Sequence, residues 1–184
     1  MKELLIWAQA YVRISMHRMV PVFVIGLLLY EIFLVLMKKG VTKRHKKTYQ
    51  SWICGMLLSL EIAFVFVMTL YGRTAEAGRG VSFRPLVSYI EAFQPGNVEL
   101  LLQVIMNILM FVPLGMLLPL NFERFEKNRY VILTALAVSA GIESTQGILQ
   151  IGMFETDDIL GNVLGTEIGF LCYAVAVRLR KRRK

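Results

Sequence analysis

Histidine and cysteine are scarce in this chain of 184 residues, with two of each. His17 and His45 flank apolar runs and do not sit inside them. That excludes an HExxH zinc site and a Ser–His pair within a membrane, since neither can form without a histidine at depth. Cys54 and Cys172 give no metal-ligand spacing, and no disulfide between them is expected. Internal repeats and low-complexity linkers are also missing. No small-residue cleavage site follows an isolated apolar core near the start, so these residues do not read as a cleaved signal peptide.

Apolar residues are what the chain has in abundance, at 56% of the total. Five stretches, at about 19–37, 51–71, 98–120, 130–150 and 158–177, each approach the ~20 residues a membrane span requires. Residues 1–18 are too short and too charged to cross. Leu4, Leu5, Ala8, Tyr11 and Val12 share one apolar face there, which predicts an interfacial helix. The expected fold class is therefore all-α: a polytopic membrane bundle of about five transmembrane helices, with an interfacial helix at 1–18, the bundle at 19–177 and a basic tail at 178–184.

Charge placement predicts the orientation. Loop 38–47 holds six Lys/Arg and the tail 178–184 six more, whereas loop 151–158 has none and carries Glu155, Asp157 and Asp158. The positive-inside rule puts loop 38–47, loop 121–129 and the C-terminus in the cytoplasm, in a cell membrane, with the N-terminus outside. Arg73, Arg79 and Arg84 in loop 72–97 oppose this mildly and are outweighed. The net charge of +8 then reads as a topology signal and an attraction to anionic lipid, not as a nucleic-acid footprint.

The residues out of place are polar ones inside the spans. A carboxylate at bilayer depth is costly and defaults to a functional hypothesis. Glu143 and Gln146 are spaced i,i+3, and Asp158 and Asn162 i,i+4, so each pair shares a helix face. The two faces predict a helical hairpin with its polar seam turned inward. Glu99, Gln103 and Asn107 form a similar stripe in the third span, which Pro113 and Gly115 interrupt as an expected kink. Gly161, Gly165 and Gly169 recur every fourth residue, a spacing that allows close helix approach. At 1.5 Å per residue, Asn107, Glu143 and Asn162 fall roughly 7–14 Å below the outer surface, so one outward-facing polar chamber is expected. Before the third span, Pro85 is placed in the first turn of a short interfacial helix, and Asn97 is expected to cap the span itself. Glu167 lies off the seam, either sharing a proton with Glu61 or Glu31 or standing protonated and hydrogen-bonded.

These residues resemble the VanZ-like family, named for a membrane protein linked to resistance against glycopeptide antibiotics of the teicoplanin kind. The matching pieces are Asn107-Ile-Leu-Met-Phe-Val-Pro-Leu-Gly115, Glu143-Ser-Thr-Gln146 and Asp157-Asp158-Ile-Leu-Gly-Asn162-Val-Leu-Gly165, with Arg84-Pro85 in a segment resembling the family's loop motif. The likeness covers about residues 60–175 in order. It departs in two places. A Gly-Arg pair frequent in the family reads Ile151-Gly152 here, with Glu155 for the nearby Asp, and the usual loop asparagine reads Ser82. If that arginine holds an anion in other members, this chain must use Arg73, Arg79 or Arg84, or bind something else. The resemblance implies an effect at the outer face of the membrane, and no mechanism.

Three readings follow. The first is binding of a cell-envelope lipid, a lipid-linked cell-wall precursor or a lipoglycopeptide at the outer polar chamber, giving a teicoplanin-resistance-like function. Its ligand residues would be Gln103, Asn107, Glu143, Gln146, Asp158 and Asn162, with Arg73 and Arg84 for phosphate. The second is a membrane scaffold whose glycine face docks a partner protein. The third is a carboxylate-dependent intramembrane enzyme acting on a lipid-linked substrate through Glu143 and Asp158. A divalent cation on Glu143, Asp157, Asp158 and Asn162 is chemically possible, but no positive sign of a metal, cofactor or nucleophile is present.

Overall fold

The structure, a computed structural model, describes residues 20–36, 49–71 and 81–182. The expected interfacial helix at 1–18, the basic loop 38–47, and Arg73 and Arg79 lie outside them. Six helices carry the fold: α1 (Val20–Leu36), α2 (Tyr49–Thr69), α3 (Val87–Ala92), α4 (Val98–Asn121), α5 (Asn128–Leu149) and α6 (Thr156–Arg182). Four of them (α2, α4, α5 and α6) are long and apolar enough to cross a membrane. The first expected span is α1, an apolar helix of 17 residues at the short end of what a bilayer accepts. A single 3₁₀ turn, Glu123–Glu126, joins α4 to α5.

The surface confirms the solvent these helices are built for. Val20, Leu28, Ile90, Phe93 and Leu133 are all more than half exposed, an arrangement suited to lipid. Because lipid is as apolar as leucine, burying leucine drives helix association only weakly here, and close packing has to do it. The α4–α6 contact shows how. A Cβ placed on Gly165 would strike the carbonyl of Ile108, on Gly169 that of Val112, and on Gly115 that of Thr166. The glycine stripe on α6 is thus covered by α4, which lies parallel to it and adds a glycine of its own.

The remaining helices run up and down beside this pair. Asn162 meets Ser139, and Asn128 meets Glu167, so α5 is antiparallel to α6. Thr69 at the end of α2 meets Gln146 near the end of α5, while Asn121 at the end of α4 reaches Cys54. Phe111, Leu114, Leu117, Val131 and Ile142 fill the middle of the bundle. Helix α1 packs antiparallel on α2, with Val22 against Ala63 and Val67, and Gly55 making room for Phe33.

Both expected local breaks differ in detail. Helix α4 continues through Pro113 and Pro119 as one helix. Pro85 lies ahead of α3, not in its first turn: Leu86 intervenes in the left-handed region at φ 68°. Asn97 does not cap α4 with its side chain. Its amide instead donates to the Glu91 carbonyl (2.8 Å), closing the end of α3.

Candidate functional site

The polar seam forms where the α5–α6 connection meets the α2–α4 connection. Two short strands, β1 (Val81–Ser82) and β2 (Phe154–Glu155), pair in parallel there, with Val81 opposite Phe154 and Ser82 opposite Glu155. The Thr156 hydroxyl adds a bond to the Ser82 carbonyl (3.1 Å), and the Phe83 and Phe154 rings lie 5.6 Å apart. Ser82 and Glu155, two of the positions at which the sequence departs from the pattern it resembles, therefore face each other across this ladder.

Asp157 secures the same junction. Its carboxylate accepts the Leu86 N–H at 2.5 Å and the Ser88 N–H at 2.8 Å. Helix α3 is too short to be stable alone, and these bonds satisfy N–H groups at its start that nothing on its own segment reaches. Asp157 is 5% exposed, and removing it would take this partner from both N–H groups. Sequence reasoning placed Asp157 in a motif and as a possible cation ligand but missed this role. The available signal was adjacency: Asp157 and Asp158 are about 100° apart on α6, so both cannot face one seam.

The residues expected at the site divide into three groups. Asn107 and Asp158 are brought together, the Asn107 amide donating to Asp158 Oδ1 at 2.7 Å, and both are half-buried. Glu143, Gln146 and Asn162 are buried and tie the backbone and side chains of the hairpin together. Glu143 accepts the Glu155 N–H (2.9 Å), Gln146 donates to the Thr69 carbonyl (2.9 Å), and Asn162 donates to the Ser139 hydroxyl (2.8 Å). Gln103 and Arg84 are exposed and make no recorded side-chain bond to the seam, and Arg73 is outside the described residues. Of the hydrogen-bonded residues in this set, Asn107 and Asp158 are the ones that stay partly exposed.

Tyr89 joins that pair. Its hydroxyl donates to the Asp157 carbonyl (3.3 Å) and sits 2.9 Å from where a Cβ on Gly161 would be, with the Asn107 Cβ beside it. Burial, then the negative charge of Asp157 and Asp158, pushes its phenol up from the ordinary tyrosine range. Nothing in the sequence pattern marks Tyr89 for this place, because a tyrosine's body and its polar tip cannot be told apart by periodicity.

The divalent-cation reading does not fit this geometry. Asp157 is committed to α3 and Glu143 to the Glu155 N–H, and no three His, Cys, Asp or Glu side chains among the described residues stand where they could hold a metal ion. Of the two alternatives for Glu167, the structure shows a hydrogen-bonded side chain: the Asn128 amide donates to Glu167 Oε1 (2.8 Å). Asn121 was also missed. Its amide bridges the carbonyls of Cys54 (3.1 Å) and Leu117 (2.9 Å), holding α2 to α4.

A family model described as VanZ/LLP1 matches residues 21–177. The chain belongs to the VanZ-like family. Searches of curated proteins and of solved structures found no match. The family match takes in α1 through nearly all of α6, so the Asp157 clamp, the Asn107–Asp158 pair and the glycine stripe all fall within it.

Proposed function

We propose that this VanZ-family membrane protein binds the polar head of an amphiphile at Tyr89, Asn107 and Asp158, at the outer face of the cell membrane. The amphiphile is a cell-envelope lipid or a lipid-tailed glycopeptide, and binding lowers the action of teicoplanin-type antibiotics. The orientation rests on the basic residues of 38–47 and 178–184, which favour the cytoplasm for the opposite end.

The observation that carries this reading is the half-buried Asp158 carboxylate, gripped by Asn107 beneath α3. A carboxylate, an amide and a phenol in one place can bond hydroxyl and amine groups, and Arg84 is the exposed cation in the adjoining loop. Lipid-facing apolar residues beside the site suit the tail. The scaffold alternative loses its docking surface, since the glycine face is already covered by α4. The enzyme alternative gains no reacting group.

The test is susceptibility of cells expressing the protein to teicoplanin-type lipoglycopeptides and to vancomycin, alongside Asp158→Asn and Asn107→Leu at matched membrane levels. Protection against the lipid-tailed compounds, lost in both variants, is the expected result. Protection equal to wild type in both would make the pair structural. No protection from the wild type would remove the resistance reading.

A further inference from the structure

At the other end of the bundle, the short turn into α5 gathers cations on one aromatic ring. The Arg124 guanidinium carbon lies 4.6 Å from the centre of the Tyr130 ring, and that of Arg129 lies 4.8 Å from it. Arg129 also donates to the Tyr130 hydroxyl at 3.2 Å. The two guanidiniums are therefore at most ~9.4 Å apart. Two guanidiniums held on one ring concentrate positive charge within that span, so both attract the same phosphate. Contact with the ring restrains both guanidiniums in advance, which reduces the ordering cost of binding.

Three further features point to an anion and then to a lipid. Helix α5 starts without a side-chain cap, because its N-cap residue is Lys127, whose ammonium has no acceptor to offer the first N–H groups. Its 22 residues leave an aligned dipole with a positive end beside Arg129. Lys127 adds a third exposed cation, while Glu123 and Glu126 hold the net charge of 123–129 to +1, so placement rather than bulk charge makes the site. Along α5, Leu133 and Leu136 follow Arg129 at i+4 and i+7, on the same face, and are 59% and 40% exposed. A soluble phosphate has no use for that apolar track, whereas an acyl chain does.

We propose that Arg124 and Arg129, stacked on Tyr130, bind the phosphate of an anionic phospholipid whose acyl chain lies along Leu133 and Leu136. This site is independent of the one at the seam. Native mass spectrometry of the full-length protein in detergent, titrated with phosphatidylglycerol, reads it directly. Arg124→Gln/Arg129→Gln should lower the bound fraction ~10-fold, in keeping with the loss of two charge-assisted contacts. Arg180→Gln/Lys181→Gln, which removes the same charge from exposed positions on α6, should leave it unchanged. Tyr130→Ala keeps every charge and should still cost roughly 3-fold. Equal loss in the two charge variants, or unchanged binding in Arg124→Gln/Arg129→Gln, would overturn the site. Displacement of the lipid by inorganic phosphate would overturn the lipid assignment. Should the double variant fail to fold, Arg129→Lys decides, because it keeps the charge and loses the planar fork.

Discussion

Helix α6 packs against α4 and α5 by opposite means. Against α4 it presents Gly161, Gly165 and Gly169, and the helices meet backbone to backbone. Against α5 it uses side chains: Asn162 to Ser139, Glu167 to Asn128, and the Glu155 N–H just ahead of it to Glu143. The first contact gains dispersion over a wide, close surface and has no tolerance for added atoms. The second is a short series of hydrogen bonds, each of which can be traded for another polar pair. Shape therefore holds one side of α6, and chemistry holds the other.

The largest effect expected from this contrast is at Gly165. Gly165→Leu places its Cβ inside the Ile108 carbonyl, a backbone atom that cannot swing aside, so assembled protein should be lost from the membrane fraction. Gly141 on α5 is the control: a Cβ there meets nothing within 4 Å, so Gly141→Leu should express normally and change stability by less than about 1 kcal/mol. Comparing monodisperse yield in size-exclusion chromatography separates the two. Equal yields would mean that α4 and α6 can part without consequence.

The polar side should give way more gently. A double-mutant cycle of Ser139→Ala and Asn162→Leu, followed by thermal unfolding, should return a coupling of roughly 0.6 kcal/mol and at most about 1.7 kcal/mol. Thr166 also donates to the Asn162 carbonyl, so the backbone at this level keeps a partner in every variant. A coupling as large as the Gly165→Leu loss would erase the distinction between the two faces.

The same contrast governs what could be read before the structure. The spans were legible because lipid permits few solutions: stretches read at 51–71, 98–120 and 130–150 became Tyr49–Thr69, Val98–Asn121 and Asn128–Leu149. The stretch at 158–177 became Thr156–Arg182, since the basic residues at its end do not stop a helix. Glycine spacing announced close packing, though not that α4 was the partner. In the seam, the polar residues were visible by type, yet their partners were not. Glu143, Gln146 and Asp157 all bond backbone groups, and a peptide N–H or carbonyl has no signature in a sequence. Only side chain to side chain pairs, such as Asn107–Asp158, leave both members in view.

The smallest expected effect falls at Gly161, where the two kinds of contact meet under the Tyr89 hydroxyl. Tyr89→Phe removes one long hydrogen bond to the Asp157 carbonyl and should cost only about 0.5 kcal/mol near neutral pH. Its value lies in the pH dependence. Burial and the two neighbouring aspartates raise the phenol's folded pKa, so the folded state keeps its proton longer than the unfolded one does. The wild type should then hold this contribution in full below the unfolded tyrosine value of about 10 and lose it as pH climbs through the raised folded value. Tyr89→Phe has no proton to lose, so its stability should fall less steeply in that alkaline range. Parallel curves for the two proteins above pH 10 would mean that the hydroxyl is not held over Gly161 against Asp157 and Asp158, and the proposed site would lose its phenol.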